Sequence, residues 1–335
     1  MRVGHTTLIE GDGPLEVGRG PVRTGVTVVV PGAGDPWAEP AFAGCHRLNG
    51  NGELTGLEWI RESGLLTTVI GLTNTHSVGV VRDALIAAAA RTVSPDEQRW
   101  YLPVVGETYD GDLNDVNGMH VRAEHVHAAL EAASPGPVAE GGVGSGTGMQ
   151  CHGFKGGIGT ASRVVDGATV GVLVQANHGR RDRLRVNGVA VGPLPGEEPA
   201  TGTGAGPEGS IIVIVATDAP LLPGQCDRLA QRAALGVGRV GGAGEHSSGD
   251  LILAFATGNR GLRPLADPGI EGGGPVEVRA VPADRIDNLF YAAIEATEES
   301  IVNALVAGET MTGRDGCTVQ GIGGERLAAA LGLRP

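Results

Sequence analysis

The 335-residue sequence predicts a mixed α/β fold. Segments rich in β-branched residues alternate along the chain with helix-like segments, and this alternation excludes an all-helical bundle and an all-β sandwich. Hydrophobic residues make up 41% of the chain, which is enough for a substantial core. Aromatic residues make up only 3%, so Val, Leu, Ile and Ala must fill the interior. We therefore expect closely packed strands and helices.

The predicted elements follow one another in chain order. The chain opens with strands at residues 3–8 and 25–31, joined by a polar connection that contains Gly and Pro. Further strands are predicted at residues 65–73, 102–111, 162–165, 170–176, 211–218 and 248–257. Helices are predicted from residue 77 into the alanine run after residue 85, and at residues 122–133, 225–236 and 286–307. Residues 49–56, rich in Asn and Gly, predict a turn.

Composition narrows the possible partners and compartments. The formal net charge of −13 and the lack of a basic patch argue against a nucleic-acid partner, whose phosphates require clustered Lys and Arg. Residues 1–5 carry no apolar signal segment, and no apolar run is long enough to span a bilayer. We therefore expect a soluble cytoplasmic protein with no membrane partner.

The cysteine and histidine spacings predict neither a metal site nor another cofactor. The cysteines are far apart and lack the CxxC pattern, and the loop histidines show no paired-ligand spacing. A chain of this size does not need disulfides, so we expect reduced and mostly buried thiols. The four cysteines are Cys45, Cys151, Cys226 and Cys317. The histidines in predicted loops are His5, His46, His76, His152, His178 and His246.

A glycine-rich segment at residues 141–148 has the glycine density of a phosphate-binding loop but not its pattern. Its spacing matches neither GxGxxG nor GxxxxGK[ST], and the required strand–loop–helix order is missing. Two predicted strands follow it instead. A mobile glycine loop that lines a substrate channel fits this order better.

Ser210 stands where a turn-rich segment, residues 192–209, meets a β-branched run at residues 211–218. The run is typical of a strand buried on both faces. An ordinary loop-to-strand junction has this arrangement, and a self-cleaving hydrolase requires it. Gly209 permits the scissile peptide to bend, and a hydroxyl on a rigid strand can attack it. After cleavage, Ser210 would carry a free α-amine beside its hydroxyl and could supply both nucleophile and base.

Polar residues at the ends of three other strands are candidates for the same site. Ser248 and Asp250 lie two residues apart, so on a strand both point to one face and could relay protons. Asn177 ends another strand, and its amide could donate to an oxyanion. Glu107 and Tyr109, again two residues apart, could bind a substrate ammonium group and donate to the oxyanion.

Each candidate also has a structural alternative. Asn177 could be a turn residue, and Ser248 with Asp250 could form a local side-chain-to-backbone turn. Glu107 and Tyr109 could be a solvated strand end. The residue types alone leave these alternatives open.

The segments around these residues resemble the self-processing aminopeptidase family that includes L-aminopeptidase/D-esterases and β-peptidyl aminopeptidases. The resemblance covers residues 5–316. It rests on the segments NGNGELTG at 49–56, ETYDG at 107–111, GTGM at 146–149, FKGGIGTASR at 154–163, VQAN at 174–177, GSIIV at 209–213, ATDAPLLP at 216–223, SGD at 248–250 and GETMTGRDG at 308–316. Relatives usually carry a few dozen residues before the segment equivalent to residues 3–5, so we expect a shortened start here.

The resemblance implies a fold and a maturation step. It implies one catalytic domain over residues 1–335, built as a four-layer αββα sandwich similar to the N-terminal nucleophile hydrolases but connected differently. It implies autoproteolysis between Gly209 and Ser210, giving an α chain of residues 1–209 and a β chain of residues 210–335. It also implies a homotetramer of αβ units.

The resemblance assigns roles to the candidate residues. Ser210 is the nucleophile that hydrolyses short peptides, amino-acid amides or esters, without a cofactor. Asn177 and Tyr109 assist the oxyanion, and Ser248 with Asp250 supports proton transfer. Ser248, which directly precedes Gly249, matches the family pattern better than Ser247 does. Glu107 binds the free amino group of the substrate.

Two alternatives remain open at this point. Ornithine acetyltransferases have a similar fold and also cleave themselves, but they cut before a threonine, and this chain offers a serine. A chain that stays uncleaved and inactive would be a binding protein or scaffold instead.

Overall fold

The computed structural model describes residues 1–94, 97, 99–191, 209–263 and 275–333. Two sheets pack face to face, and helices cover the outer face of each sheet, so the chain forms the four-layer αββα sandwich that the resemblance implies. Most of the predicted Gly/Pro-rich segment before Ser210, residues 192–208, lies outside the described residues. Within them, no helix is long and apolar enough to cross a bilayer.

The elements are numbered in chain order. The strands are β1 Arg2–Glu10, β2 Val22–Val30, β3 Ala41–Gly50, β4 Leu65–Leu66, β5 Ile70–Asn74, β6 Val104–Thr108, β7 Gln150–Cys151, β8 Phe154–Lys155, β9 Gly157–Val165, β10 Ala168–Ala176, β11 Arg185–Val186, β12 Val189–Ala190, β13 Ile211–Thr217, β14 Gly249–Ala256, β15 Met311–Thr312 and β16 Thr318–Val319. The helices are α1 Leu57–Ser63, α2 Val78–Ala90, α3 Ala123–Glu131, α4 Pro223–Arg239, α5 Asp287–Val306 and α6 Gly324–Ala330.

The two large sheets differ in size and strand order. The first sheet has the order β1-β2-β5-β6, and the second has the order β4-β3-β14-β13-β10-β9. Within them, β5 with β6 and β13 with β14 are parallel pairs, whereas the other neighbours are antiparallel. Helices α2 and α3 cover the first sheet, and α4 and α5 cover the second.

Strand β13 shows how the sequence produces this layering. Ile211, Val213 and Val215 point to the core beneath α4 and α5, whereas Ile212 and Ile214 point to the core between the sheets. Because successive side chains on a strand point to opposite faces, a strand that is buried on both faces must be apolar at every position. The prediction of a strand buried on both faces is therefore confirmed.

Two features of the sequence-based prediction were wrong or missing. The single strand predicted at residues 65–73 is two strands, because β4 pairs with β3 in the second sheet and β5 belongs to the first. The chain crosses between the sheets at Thr67 and Thr68, which are buried and β-branched and therefore do not mark a break in a predicted strand. Strand β3 was not predicted, since AFAGCHRLNG lacks a β-branched pattern.

The predicted glycine channel at residues 141–148 is also wrong. Gly144–Gly146 forms a buried turn packed against the first sheet, with the Gly144 N–H donating to Thr7 Oγ1 at 2.8 Å and the Ser145 hydroxyl 2.9 Å from Thr27 Oγ1. Glycine is needed there for close packing: a Cβ on Gly25 would lie 2.3 Å from the Gly144 carbonyl oxygen.

Gly159 allows α5 to lie directly on β9. A Cβ at this position would lie 1.9 Å from the Ser300 carbonyl oxygen and 2.7 Å from the Ala304 nitrogen. We predict that Gly159→Ala lowers the free energy of unfolding by at least about 2 kcal/mol, because the helix must move away from the sheet. Urea unfolding midpoints would measure the loss.

Gly171→Ala on β10 is the matched control. The nearest atom to its added Cβ is the Ala216 carbonyl oxygen, at an ordinary 4.0 Å. Its free energy of unfolding should stay within about 0.5 kcal/mol of the wild type. Equal losses in the two variants would contradict the packing explanation.

Candidate active site

Three strand ends of the second sheet bring the candidate residues together. Strands β13 and β14 are parallel, with Ile211 opposite Asp250, so their first residues lie side by side. Strand β10 runs antiparallel to β13, with Ala176 opposite Ile211, so its last residues reach the same edge. Ser210 and Asn177 consequently face each other, and the Asn177 N–H donates to the Ser210 carbonyl oxygen at 3.1 Å.

The Ser210 hydroxyl is buried at this edge of the second sheet. Its Oγ accepts a hydrogen bond of 3.0 Å from the Gly249 N–H. The preceding carbonyl, that of Gly209, accepts a hydrogen bond of 2.5 Å from the Ser248 hydroxyl. A hydroxyl on the residue after a hydrogen-bonded carbonyl is the local arrangement that an attack on the Gly209–Ser210 bond requires.

Ser248 and Asp250 form a short relay to that carbonyl. Ser248 Oγ lies 2.5 Å from Asp250 Oδ1 as well as 2.5 Å from the Gly209 oxygen, yet a hydroxyl has one proton. Burial raises the pKa of Asp250 to about 6, with the Ser248 hydrogen bond opposing the shift. A protonated Asp250 can donate to Ser248 while Ser248 donates to Gly209, so both hydrogen bonds form at once.

Asn177 is fixed by two hydrogen bonds and lies against Gly209. Its Oδ1 accepts from the Gln150 N–H at 2.7 Å, and its Nδ2 donates to the Tyr109 carbonyl oxygen at 2.9 Å. A Cβ on Gly209 would lie 1.7 Å from the Asn177 carbonyl oxygen and 2.6 Å from Nδ2. The close approach of Asn177 therefore requires glycine before Ser210, and it places an amide donor beside the Gly209 peptide.

Glu107 is a buried carboxylate on the neighbouring sheet. Its Oε1 accepts from the Glu53 N–H at 2.9 Å, and its Oε2 accepts from the Thr75 hydroxyl. Burial raises its pKa, and these two hydrogen bonds oppose the rise. A Cβ on Gly52 would lie 3.0 Å from Glu107 Oε1 and 3.9 Å from Ser210 Oγ, so both groups border the same small space.

Tyr109 contributes its backbone carbonyl to this arrangement, and its side chain lies over Gly111. Strand β6 ends at Thr108, so Tyr109 lies beyond the strand on which the sequence places it. The residue is 42% exposed, and a Cβ added to Gly111 would be 2.3 Å from the phenolic oxygen. Within the described residues, no hydrogen bond to the phenol is formed.

Several supporting residues escaped the sequence reasoning. Gly249, Glu53 and Gln150 act through backbone N–H groups, which leave no mark on residue type. Thr75 belongs to a distant segment. The one signal that did point here was the predicted turn at residues 49–56, which contains Gly52 and Glu53.

A cavity of about 450 Å³ opens beside Gly52. It is lined by apolar side chains, by two arginines and by Glu58, which pairs with Arg61, and it adjoins the space bordered by Ser210 and Glu107 through Gly52. The side chains that give it this character are Arg47, Leu54, Leu57, Trp59, Arg61 and Leu251.

Comparisons with known proteins agree with this geometry. The profile of peptidase family S58 matches residues 1–319. The beta-peptidyl aminopeptidase of Sphingosinicella microcystinivorans is 50% identical, over 99% of this chain and 85% of its own length. The structure of a Burkholderia sp. beta-aminopeptidase is 56% identical and superposes with a TM-score of 0.91, covering 100% of this chain and 92% of its own.

A second solved structure identifies the fold class. It is the L-aminopeptidase D-Ala-esterase/amidase from Ochrobactrum anthropi, described as a prototype for the serine aminopeptidases and a variant among the N-terminal nucleophile hydrolase fold. It is 41% identical, with a TM-score of 0.86, and the match covers 98% of this chain and 91% of the other.

The raised pKa of Asp250 predicts a pH-dependent stability. The native carboxyl keeps its proton up to about pH 6, whereas the unfolded one loses it near 3.8. Between these values the native state binds more protons, so stability should fall as the pH rises, by about 3 kcal/mol for this group. Asp250→Asn should remove that part of the fall. Urea unfolding from pH 4 to pH 7, with every protein compared in the uncleaved Ser210→Ala background, measures the difference.

The exposed Asp284 supplies the control for this measurement. Asp284→Asn should follow the wild-type pH dependence, because its carboxyl is not transferred into the protein interior. An Asp250→Asn profile parallel to that of the wild type would contradict the assignment of the buried proton.

Proposed function

Because the chain belongs to peptidase family S58, we propose that it is a self-cleaving serine aminopeptidase that uses Ser210 as its nucleophile. It removes N-terminal residues from short peptides, amino-acid amides or esters through an acyl-enzyme. The observation that carries the proposal is the position of the Ser210 hydroxyl, buried beside a Gly209 carbonyl that Ser248 hydrogen-bonds.

In the proposed maturation step, Ser210 Oγ attacks the Gly209 carbonyl carbon. The hydroxyl proton passes to the Ser210 nitrogen, the C–N bond breaks, and the acyl group moves from nitrogen to oxygen. Charge that develops on the Gly209 oxygen is stabilised by the Ser248 hydrogen bond, and Asp250 supports Ser248. Water then hydrolyses the ester and releases an α chain of residues 1–209 and a β chain of residues 210–335.

In the proposed turnover, the new α-amine of Ser210 accepts the hydroxyl proton as Oγ attacks the substrate carbonyl. The Asn177 amide adjoins the Gly209 peptide and is the proposed donor to the resulting oxyanion. The Tyr109 phenol would have to turn away from Gly111 to do the same. The protonated amine or alcohol leaves, and water hydrolyses the acyl-enzyme.

Glu107 is the proposed partner of the substrate ammonium group. Its carboxylate is buried and borders the space next to Ser210, so an N-terminal amine bound there lies beside the scissile carbonyl. The cavity next to Gly52 is open to the remainder of the substrate. Together they favour short substrates with a free amino terminus.

The wider setting of this proposal rests on the family resemblance. We propose one catalytic domain over the whole chain, assembled as a homotetramer of αβ units in the cytoplasm. The four-layer packing of both sheets around one shared core is consistent with a single domain.

Ser210→Ala is predicted to abolish both maturation and turnover. Without the hydroxyl, no acyl shift can begin, so the purified variant should have the mass of the intact chain under denaturing conditions. The wild type should separate into residues 1–209 and 210–335. Mass spectrometry of the denatured proteins measures this.

Ser247→Ala is the control for the neighbouring serines. It should be cleaved like the wild type, whereas Ser248→Ala should be cleaved at least roughly 100-fold more slowly, as expected for the loss of one oxyanion donor. Cleavage of Ser210→Ala after Gly209, or an uncleaved wild type, would contradict the proposal.

Glu107→Gln is predicted to weaken the recognition of the substrate amine. The kcat/KM for an L-amino-acid amide should fall on the order of 100-fold, because the ammonium group loses its buried ionic partner. The wild type should discriminate to a similar degree against the des-amino analogue of the same amide. Steady-state kinetics with both substrates gives the two ratios.

Measuring both substrates with Glu107→Gln distinguishes a loss of amine recognition from misfolding of the variant. If Glu107 binds the amine, Glu107→Gln should hydrolyse the des-amino analogue at the wild-type rate and should still cleave itself after Gly209. Equal losses with both substrates would place Glu107 outside the amine site.

A further inference from the structure

A Cys-His-His cluster lies directly behind Asn177 and plays no part in the proposed chemistry. Cys151, His152 and His178 are all buried, and one ligand atom from each lies within 4.8 Å of the other two. Cys151 Sγ and His178 Nδ1 are 3.8 Å apart. The two imidazole rings meet edge to face, with their centroids 5.2 Å apart.

The histidines present unused nitrogens to the protein interior. His152 Nδ1 lies 2.9 Å from the Arg180 carbonyl oxygen, so it must carry the proton, and Nε2 holds a lone pair. His152 Nε2 and His178 Nε2 are both buried and have no hydrogen-bond partner within the described residues. Unpaired polar atoms in a protein interior are costly and therefore uncommon.

The backbone holds these side chains in place before any ligand arrives. His152 and Gly153 form the turn between β7 and β8 with positive φ angles of 49° and 70°. The His152 N–H donates to the His178 carbonyl oxygen at 2.7 Å, which ties this turn to the end of β10. A Cβ on Gly179 would lie 2.3 Å from His152 Cε1, so the imidazole fits against bare backbone.

We propose that Cys151, His152 and His178 bind a divalent cation of borderline softness, with Zn²⁺ as the best match. Tetrahedral zinc, with bonds of about 2.3 Å to sulfur and about 2.0 Å to nitrogen, separates these ligand atoms by about 3.5 Å. The nitrogen of His178 that faces Cys151 is Nδ1, whose distance of 3.8 Å from Sγ is close to this value, and all three ligand atoms lie within 4.8 Å of one another. The bond from His152 to the Arg180 carbonyl is the outer contact that orients a ligating imidazole.

Binding requires that the Cys151 thiol lose its proton and that one further ligand be added to the metal. The Cys151 thiol releases its proton to solvent as the metal–sulfur bond forms, and the neutral imidazoles bind through their lone pairs. Water fills the fourth position. The sequence predicted no metal site because Cys151 and His152 are adjacent and His178 is distant in sequence, which matches no familiar ligand spacing. The proposed site departs from that prediction.

The site is separate from the nucleophile but structurally connected to it. The Gln150 N–H, next to Cys151, donates to Asn177 Oδ1, and Asn177 immediately precedes His178. A bound cation would therefore fasten both segments that hold the Asn177 amide. The cluster itself does not touch Ser210, so metal binding can be tested without reference to activity.

Co²⁺ is the probe for this site, because thiolate coordination gives it a charge-transfer absorption. Purified wild-type protein, equilibrated with Co²⁺ until the absorbance is constant, should bind one equivalent with a thiolate band that Zn²⁺ displaces. Cys151→Ala should lose this band. Cys226→Ala removes another fully buried thiol and should keep it.

His152→Asn provides a second test of metal binding in case the loss of Cys151 disturbs folding. Asparagine tolerates the positive φ at this position and can still donate to the Arg180 carbonyl, but it removes Nε2. Its Co²⁺ affinity should fall at least roughly tenfold with an unchanged melting temperature of the metal-free protein. A wild type without the thiolate band, or a band that survives in either Cys151→Ala or His152→Asn at full affinity, would overturn the proposal.

Discussion

The register between β13 and its two neighbours is the constraint on which the site depends. Ile211 lies opposite Asp250 on one side and Ala176 on the other, so Ser210, Ser248 and Asn177 arrive at one edge. A slip of one residue would turn every side chain of β13 to the opposite face. Because both faces of this strand are buried in different cores, such a slip would also exchange two tightly packed sets of side chains. The hydrophobic packing thereby fixes the position of Ser210, the proposed nucleophile.

Burial gives the polar groups around this edge unusual proton affinities. The pKa values of Asp110 and Asp250 are both raised to about 6, chiefly by burial, and that of Glu107 is raised as well. Lys155, the only lysine of the chain, is fully buried and its pKa is lowered to about 7. Its Nζ donates to the carbonyl oxygens of Gly146 and Gly156, so it joins two glycine segments instead of pairing with a carboxylate. The interior thus satisfies its polar groups mainly through hydrogen bonds with neutral partners.

The sequence predicted the elements that a side-chain pattern identifies. It missed the contacts that backbone groups make and those between residues that are far apart in the chain. The β-branched run after Ser210 identified the central strand because a doubly buried strand has no polar face. The break between β4 and β5 falls at two threonines, a residue type common in strands, and the donors to Ser210 and Asn177 are backbone N–H groups, so neither could be recognised. Tyr109 was placed on a strand that ends one residue earlier. The cluster of Cys151 with His178 exists only because the β7–β8 turn folds against the end of β10.

The arrangement also explains how one pocket can serve cleavage first and a substrate afterwards. Before cleavage, the Gly209 carbonyl occupies the donor position at Ser248 and adjoins the Asn177 amide. The proposed cleavage turns that neutral carbonyl into a carboxylate close to Asp250. The buried acidic groups Asp250 and Glu107 disfavour a carboxylate at this position, whereas the new α-amine of Ser210 attracts it. Once the new terminus leaves this position, the donors that polarised Gly209 become free for the carbonyl of a substrate.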